Sequence, residues 1–476
     1  MNKETPGIPG IVDEVVGVLR SRGVDVPEPS PEPFDGRGVV ENLDAAVSAA
    51  GRSLDASRRI SVETRERIIA SMRRAMLANL ESLSRLAVSE TGLGRFEDKV
   101  RKNRLALTRT PGTEDLRPIA FSGDHGLTLV ERAPYGIIGS VTPSTNPTET
   151  IICNAIGMVA GGNTVVFNPH PAARTVSLTC IDLLNRAISE AGGPRALLFS
   201  VDSPSIDTAQ RLMSHPDVRL LVVTGGPGVV RAAMQSGKKV IAAGPGNPPV
   251  VVDETADASK AGRDIVAGAS LDNNIVCIAE KEIIAVADIV PDLRTALCEA
   301  GAVEVKGRAA ERLSELIVAE EAGPGKPSSI RRELIGKDAA VIMGEAGLAC
   351  PEGTRLVFFE AERSHPLVWT EQMMPVLPLV RVASAEEAID LAVEVEGRRG
   401  HTAVMHSRNI ESLSRMARAM DVSIFVKNGP SFAGLSFGGE GFTSFTIASP
   451  TGEGLTKAST FTRERRCTLV DYFHIV

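Results

Sequence analysis

The stretch SLDNNIVCIAEKEII, residues 270–284, sets one cysteine, Cys277, behind a polar turn of Leu271, Asp272, Asn273 and Asn274 and ahead of a run that reads as a strand. A thiol there is either a nucleophile, active as the thiolate, or a small residue packed as a hydrophobe. Upstream, VTPSTNPTET supplies Asn146. Its side-chain amide is a donor of the kind that stabilises the oxyanion formed when a thiolate adds to a carbonyl. The alternative is an Asx turn ahead of Pro147. Three turns after apolar runs offer a second kind of chemistry: Thr142 and Pro143 in the first, Asn168 and Pro169 in the next, Thr224, Gly225 and Gly226 in the third. Glycine-rich turns entering helices bring backbone N–H groups close to phosphate and so suit a dinucleotide. The full G-x-G-x-x-G spacing is absent, however, and each turn also reads as an ordinary tight turn.

Other chemistries find little support. The six cysteines are scattered without a CxxC pair, and the seven histidines contain no HExxH. His401 and His406 read as satisfied structural histidines, so no metal is expected. The cysteine spacing also suggests no disulfide framework, which implies a reducing compartment. A net charge of −7 with interspersed signs, two Tyr and one Trp leave no basic, aromatic face for nucleic acid. No apolar run approaches the roughly 18 residues that span a bilayer.

These residues need elements to hold them. A chain of 476 residues with 43% hydrophobic content is long enough for two or three domains. From Asn42 to about Arg104 the pattern is helical, with Gly92 and Gly94 as the stop. Apolar runs then alternate with helix-length segments: YGIIGSVTP, GNTVVFNPHP, RALLFSVD, VRLLVVTGGPG and KKVIAAGPGNPPVVV. A second alternation runs from about Asp257 to Val426. Such alternation predicts βαβ units and parallel sheets covered on both faces. In those sheets ligands bind beyond the carboxyl ends of the strands, where the three turns lie.

Ahead of all this, Ile8, Ile11, Val12, Val15, Val16 and Leu19 recur at the spacing of one helical face, and Pro27, Pro29, Pro31 and Pro33 follow. Residues 1–22 therefore read as an amphipathic helix on a proline-rich linker, residues 23–36. The helix lacks the basic start and continuous apolar segment of a secretion signal and is too acidic for a transit peptide. It either docks on its own body or serves as an address tag.

In order along the chain, PYGIIGSVTPSTNPTET, TVVFNPHP, VVTGGPGVV, AAGPGNPPVVVD, SLDNNIVCIAEKEII, EQMMPVLPLV and FGGEGFTSFTIASPTGEG resemble the aldehyde dehydrogenase superfamily. In detail they are similar to its CoA-acylating branch of bacterial microcompartments, which acts on propionaldehyde and acetaldehyde. The resemblance covers about residue 40 to the end. It implies an α/β aldehyde dehydrogenase-like fold of two parallel-sheet α/β domains plus a small β oligomerisation arm. The dinucleotide-binding domain would span 37–246, the catalytic domain 247–430 and a C-terminal oligomerisation segment 431–476, with 115–133 contributing to the arm. It also implies that Cys277 is the nucleophile, and that Asn146 with the Cys277 backbone N–H forms the oxyanion hole. Thr142, Pro143, Asn168, Pro169, Thr224, Gly225 and Gly226 would line the nicotinamide dinucleotide groove, with Glu371 near the nicotinamide ribose. For Glu371 the alternative is a carboxylate at a helix N-terminus. The other five cysteines keep the packing reading.

One departure bears on the acyl acceptor. Hydrolytic relatives carry a glutamate in a Glu-Leu-Gly-Gly pattern that activates water; here the stretch is IAAGPGNPP and the matching position is Ala242. A thioester without a general base hydrolyses slowly, whereas the thiol of CoA needs less help. The resemblance thus implies NAD+-dependent oxidation of a short-chain aldehyde to acyl-CoA, with coenzyme A as co-substrate. It further implies a homodimer or homotetramer in the bacterial cytoplasm, inside a microcompartment whose shell protein binds residues 1–22. Two other readings stand beside it: a hydrolytic aldehyde dehydrogenase releasing a carboxylic acid, and a non-catalytic microcompartment scaffold.

Overall fold

The computed structural model describes residues 38–476, so the expected helix at 1–22 and linker at 23–36 lie outside the described residues. The apolar runs become two parallel sheets. The first has the spatial order Val39–Val40, Leu198–Val201, Thr164–Pro169, Ile137–Thr142, Val218–Thr224, Lys239–Ala243. Every pairing in it is parallel. Its strands Ile137–Thr142, Thr164–Pro169 and Leu198–Val201 are buried throughout, which is why they read as unbroken apolar runs. The chain builds outward from Ile137–Thr142 in one direction, then returns to place Val218–Thr224 on its other side. This reversal opens a crevice at the carboxyl ends.

The run KKVIAAGPGNPPVVV does not stay in one sheet. Lys239–Ala243 ends the first, and Pro249–Val252 enters the second. That sheet has the order Ala302–Glu304, Leu356–Ala361, Val376–Val382, Glu282–Val286, Pro249–Val252, Thr402–His406, Ile424–Lys427, again all parallel. The intervening GPGNP carries the chain between sheets; its prolines have no N–H to extend a ladder.

The helical scaffold breaks into Leu43–Ser57, Val62–Ala78, Leu80–Thr91 and Phe96–Arg109. Asn42 caps the first by accepting from the Ala45 N–H at 2.9 Å, and Ser61 caps the second by accepting from the Thr64 N–H at 3.2 Å. Gly92, at φ +66°, ends the third. Gly92 and Gly94 therefore interrupt the scaffold without ending it. A third, antiparallel sheet stands apart from these layers: Ile119–Gly123, Gly126–Pro134 and Thr462–Val470, the last paired along its whole length with the second. No helix among the described residues is long and apolar enough to cross a membrane.

Candidate active site

A cavity of about 590 Å³ opens at the carboxyl ends of the first sheet and reaches the turn that carries Cys277. Thr142, Pro143, Asn146, Asn168, Pro169, Thr224, Gly225, Gly226, Cys277 and Glu371 all line it. Residues singled out from segments as much as 229 positions apart in sequence thus share one chamber. Ile275, Val276, Leu435, Phe445 and Ile447 add apolar side chains to its lining.

Three consecutive residues shortly before Cys277, Asp272, Asn273 and Asn274, have φ of +49°, +53° and +66°. Left-handed backbone costs a residue with a side chain on the order of 1–3 kcal/mol, so the turn persists only because its surroundings over-determine it. Asn273 Nδ2 donates to Gly336 O at 2.9 Å and Asp338 Oδ1 at 2.8 Å. Asn274 Nδ2 donates to Ala269 O at 2.7 Å and Glu280 O at 2.9 Å, while Lys281 Nζ donates to its backbone oxygen at 2.8 Å. Asp272 accepts the Arg95 N–H on Oδ1 at 2.7 Å. Gly94 is needed there, because a Cβ would lie 2.0 Å from Asp272 Oδ1.

Asp272 also anchors a buried charge cluster. Its Oδ2 lies 2.9 Å from Lys99 Nζ and 2.6 Å from Lys102 Nζ, and Lys102 Nζ is 3.0 Å from Glu149 Oε1. Lys102 Nζ also donates to Asn146 Oδ1, and Lys99 Nζ to Thr145 O. Two cations thus face two carboxylates, all at most 1% exposed. Burial alone would lower the Lys102 pKa, but Asp272 and Glu149 outweigh it and hold the ammonium above its ordinary range. The Asp272 carboxyl is held low: burial would raise it, and the two lysines override that.

Burial pushes the Cys277 thiol up to about 12, Glu371 adding to the shift while Lys281 and Lys102 oppose it. Asn146 heads the helix Pro147–Ala160 yet makes no side-chain capping bond, so the Asx-turn alternative fails. Glu371 heads no helix either; it lies in the loop before Val376–Val382, and burial raises its pKa. Thr142 Oγ1 is buried on the cavity wall with no hydrogen-bond partner. The Asn168 amide is already engaged: Oδ1 accepts from Thr208 Oγ1 at 2.6 Å and Nδ2 donates to Ser205 O at 3.2 Å. Asn168 therefore shapes the wall more than it offers a free donor. Ala242 is fully buried in its strand, and Gly244 and Pro245 beyond it reach the cavity. Among the described residues lining the chamber, Glu371 is the single carboxylate.

Two expectations need correction. His401 and His406 are buried, but Nε2 of each has no partner, so neither is fully satisfied; burial pushes both down to about 4. Of the other cysteines, Cys153 and Cys180 are buried, whereas Cys298 and Cys467 are exposed and fill no core. No cluster of three or more metal-ligating side chains occurs among the described residues.

Sequence reasoning missed Lys99, Lys102 and Glu149. The available signal was their phase: Lys99, Lys102 and Ala106 recur at three and four residues along Phe96–Arg109, placing the lysines on a buried stripe.

Comparison with known proteins gives the family. The aldehyde dehydrogenase family profile matches residues 37–459. The acetaldehyde dehydrogenase (acetylating) EutE of Salmonella typhimurium is 50% identical over 468 residues, covering 98% of this chain and 99% of its own. A Rhodopseudomonas palustris propionaldehyde dehydrogenase, solved with bound CoA and an acylated cysteine, superposes with a TM-score of 0.90 at 49% identity, over 92% of this chain and 100% of that one. A propionaldehyde dehydrogenase from the fucose utilisation bacterial microcompartment of Clostridium phytofermentans gives a TM-score of 0.89 at 47% identity, with the same coverage. The chain belongs to the aldehyde dehydrogenase family, and by sequence it stands among the CoA-acylating members.

Proposed function

We propose that the protein oxidises acetaldehyde or propionaldehyde with NAD+ and coenzyme A to acyl-CoA and NADH, through a thioester on Cys277. The observation that carries this is the single cavity lined at once by Cys277, Asn146 and the three strand-end turns. Cys277, as thiolate, adds to the aldehyde carbon, and Asn146 Nδ2 with the Cys277 N–H stabilises the resulting oxyanion. A nicotinamide dinucleotide bound in the groove would supply the hydride acceptor for this adduct. Thr142, Pro143, Pro169, Thr224, Gly225 and Gly226 would hold it, Asn168 shaping the wall and Glu371 lying near the ribose. Two features fit such a ligand: the unpartnered Thr142 Oγ1, and Gly226 at the N-terminus of Pro227–Met234 with open space at its Cβ position.

CoA is the natural acceptor on this reading, because the buried Ala242 stands where hydrolytic relatives carry the glutamate that activates water. The antiparallel sheet would be an oligomerisation arm of a homodimer or homotetramer; it exposes Ile119, Phe121, Leu469 and Val470. The microcompartment relative supports a place in such a lumen, and the amphipathic spacing within residues 1–22 is what suggests that this segment binds a shell protein. The test is intact-mass spectrometry after aldehyde and NAD+, then after CoA. An acyl adduct on Cys277 that CoA discharges as acyl-CoA is expected. No adduct, or discharge by water at the same rate, overturns the proposal.

A further inference from the structure

We infer that Lys102 is a positioning residue that fixes the side-chain amide of Asn146, turning its oxygen away from the reaction and its Nδ2 toward the cavity. The inference rests on the proposed role of Asn146 as oxyanion donor. An asparagine amide offers an acceptor on one side and a donor on the other, and only one orientation can stabilise an oxyanion. A protonated lysine has three N–H donors and no acceptor. The atom facing Lys102 Nζ must therefore be Oδ1, as found, which leaves Nδ2 for the cavity.

Several observations show that this contact is built for orientation. Asn146 occupies the capping position of Pro147–Ala160, where its oxygen would ordinarily accept a backbone N–H, yet no such bond forms. Glu149, at the third helical position, would ordinarily fold back onto the cap. Instead it lies 3.0 Å from Lys102 Nζ. Nδ2 has only a long 3.3 Å contact to Thr145 Oγ1, which a stronger acceptor can displace. Lys102 is itself held, 2.6 Å from Asp272 at the start of the strained turn before Cys277. One ammonium thus ties the candidate oxyanion donor to the backbone that presents the nucleophile. Lys99 does not duplicate it, since its contacts are Thr145 O and Asp272.

The test is a double-mutant cycle. Lys102→Met alone would leave a buried carboxylate unpaired and risks unfolding, so it is made together with Glu149→Gln and compared with Glu149→Gln alone. Both pairs are measured with Asn146 and with Asn146→Ala, each rate taken per alkylatable Cys277. With Asn146 present, Lys102→Met should cost roughly 10- to 1000-fold in kcat, up to the usual cost of losing one oxyanion donor. With Asn146→Ala already made, the further cost should fall below about threefold, because Lys102 acts through a group that is gone. NAD+ affinity should not move, and the alkylation profile of Cys277, which the Lys102 charge helps to hold down, should shift upward by the same amount with Asn146 and with Asn146→Ala. A cost below threefold with Asn146 present overturns the inference. So does an equal loss in both backgrounds, which would place the effect on the thiol. If Asn146→Ala itself leaves turnover intact, the oxyanion role fails and takes the inference with it. If Asn146→Ala is costly and Lys102→Met is not, the inference alone fails.

Discussion

The backbone N–H of Gly246 donates to Oε1 of Glu371 at 3.3 Å, tethering the one carboxylate found among the described residues that line the cavity. Gly246 also runs so close to Cys277 that a Cβ would lie 2.6 Å from the Cys277 carbonyl oxygen. A buried Ala242 stands where hydrolytic relatives carry the glutamate that activates water, so an acyl thioester here is expected to hydrolyse slowly. Aldehyde and NAD+ without CoA should therefore give a burst of about one NADH per active site followed by near arrest, the signature of a stalled acyl-enzyme. CoA should restore steady turnover. Sustained NADH production at the same rate without CoA would show that water is the acceptor.

Replacing the thiol tests the nucleophile directly. Cys277→Ala should abolish acyl-CoA formation while preserving the fold and NAD+ binding, which calorimetric titration would measure. Asn146→Ala should retain the fold and lose roughly 100- to 1000-fold in turnover. A loss below threefold would remove Asn146 from the oxyanion hole.

The raised Cys277 pKa sets a pH dependence. The neutral thiol is favoured, so in the absence of NAD+ the thiolate fraction grows about tenfold per pH unit at every pH below about 12. Iodoacetamide labelling followed by peptide mass analysis should accelerate continuously from neutral pH into the alkaline range. A plateau near the ordinary thiol range would contradict the desolvated setting.

His406 offers a stability test away from the nucleophile. Its folded pKa of about 4 lies below the unfolded value, so the unfolded chain binds the extra proton first and stability is lost as pH falls from the ordinary histidine range toward 4. His406→Leu removes that term. Relative to wild type, the variant should gain about 2 kcal/mol between pH 8 and pH 5. Denaturant unfolding at the two pH values reads the difference, and a constant gap would refute it.

The spacing of Ile8, Val12, Val15 and Leu19 makes a prediction for residues 1–22. Fused to a fluorescent protein, this segment should enter shells in a host that assembles them. Val15→Glu with Leu19→Glu should leave the fusion diffuse by charging the apolar face. A diffuse signal from the unmutated fusion would remove the targeting role.

Strands buried on both faces were legible because nothing but an unbroken apolar run can fill them, and turns after them were legible through glycine and proline. The sheet change at GPGNP was not, since Lys239–Ala243 and Pro249–Val252 both read as short apolar runs and differ chiefly in their partners. Cys277 and Asn146 stood out by residue type and by resemblance. Lys99 and Lys102 did not, because a lysine on a helix reads as solvated until its counterion is known. Here that counterion, Asp272, lies some 170 residues onward and is brought close by a left-handed turn.

The pairing of Gly126–Pro134 with Thr462–Val470 has a consequence for the order of events during synthesis. The two strands are separated by more than 300 residues, and each residue from Gly126 to Pro134 waits for a partner made far later. At about 5–20 residues per second, the ribosome needs on the order of 20–70 s to supply that partner. During that interval the hairpin of Ile119–Gly123 and Gly126–Pro134 presents an open edge to every neighbouring nascent chain. Both parallel sheets can close before then, so the antiparallel sheet is the last layer the chain completes, and translation speed sets how long its edge stays unpaired.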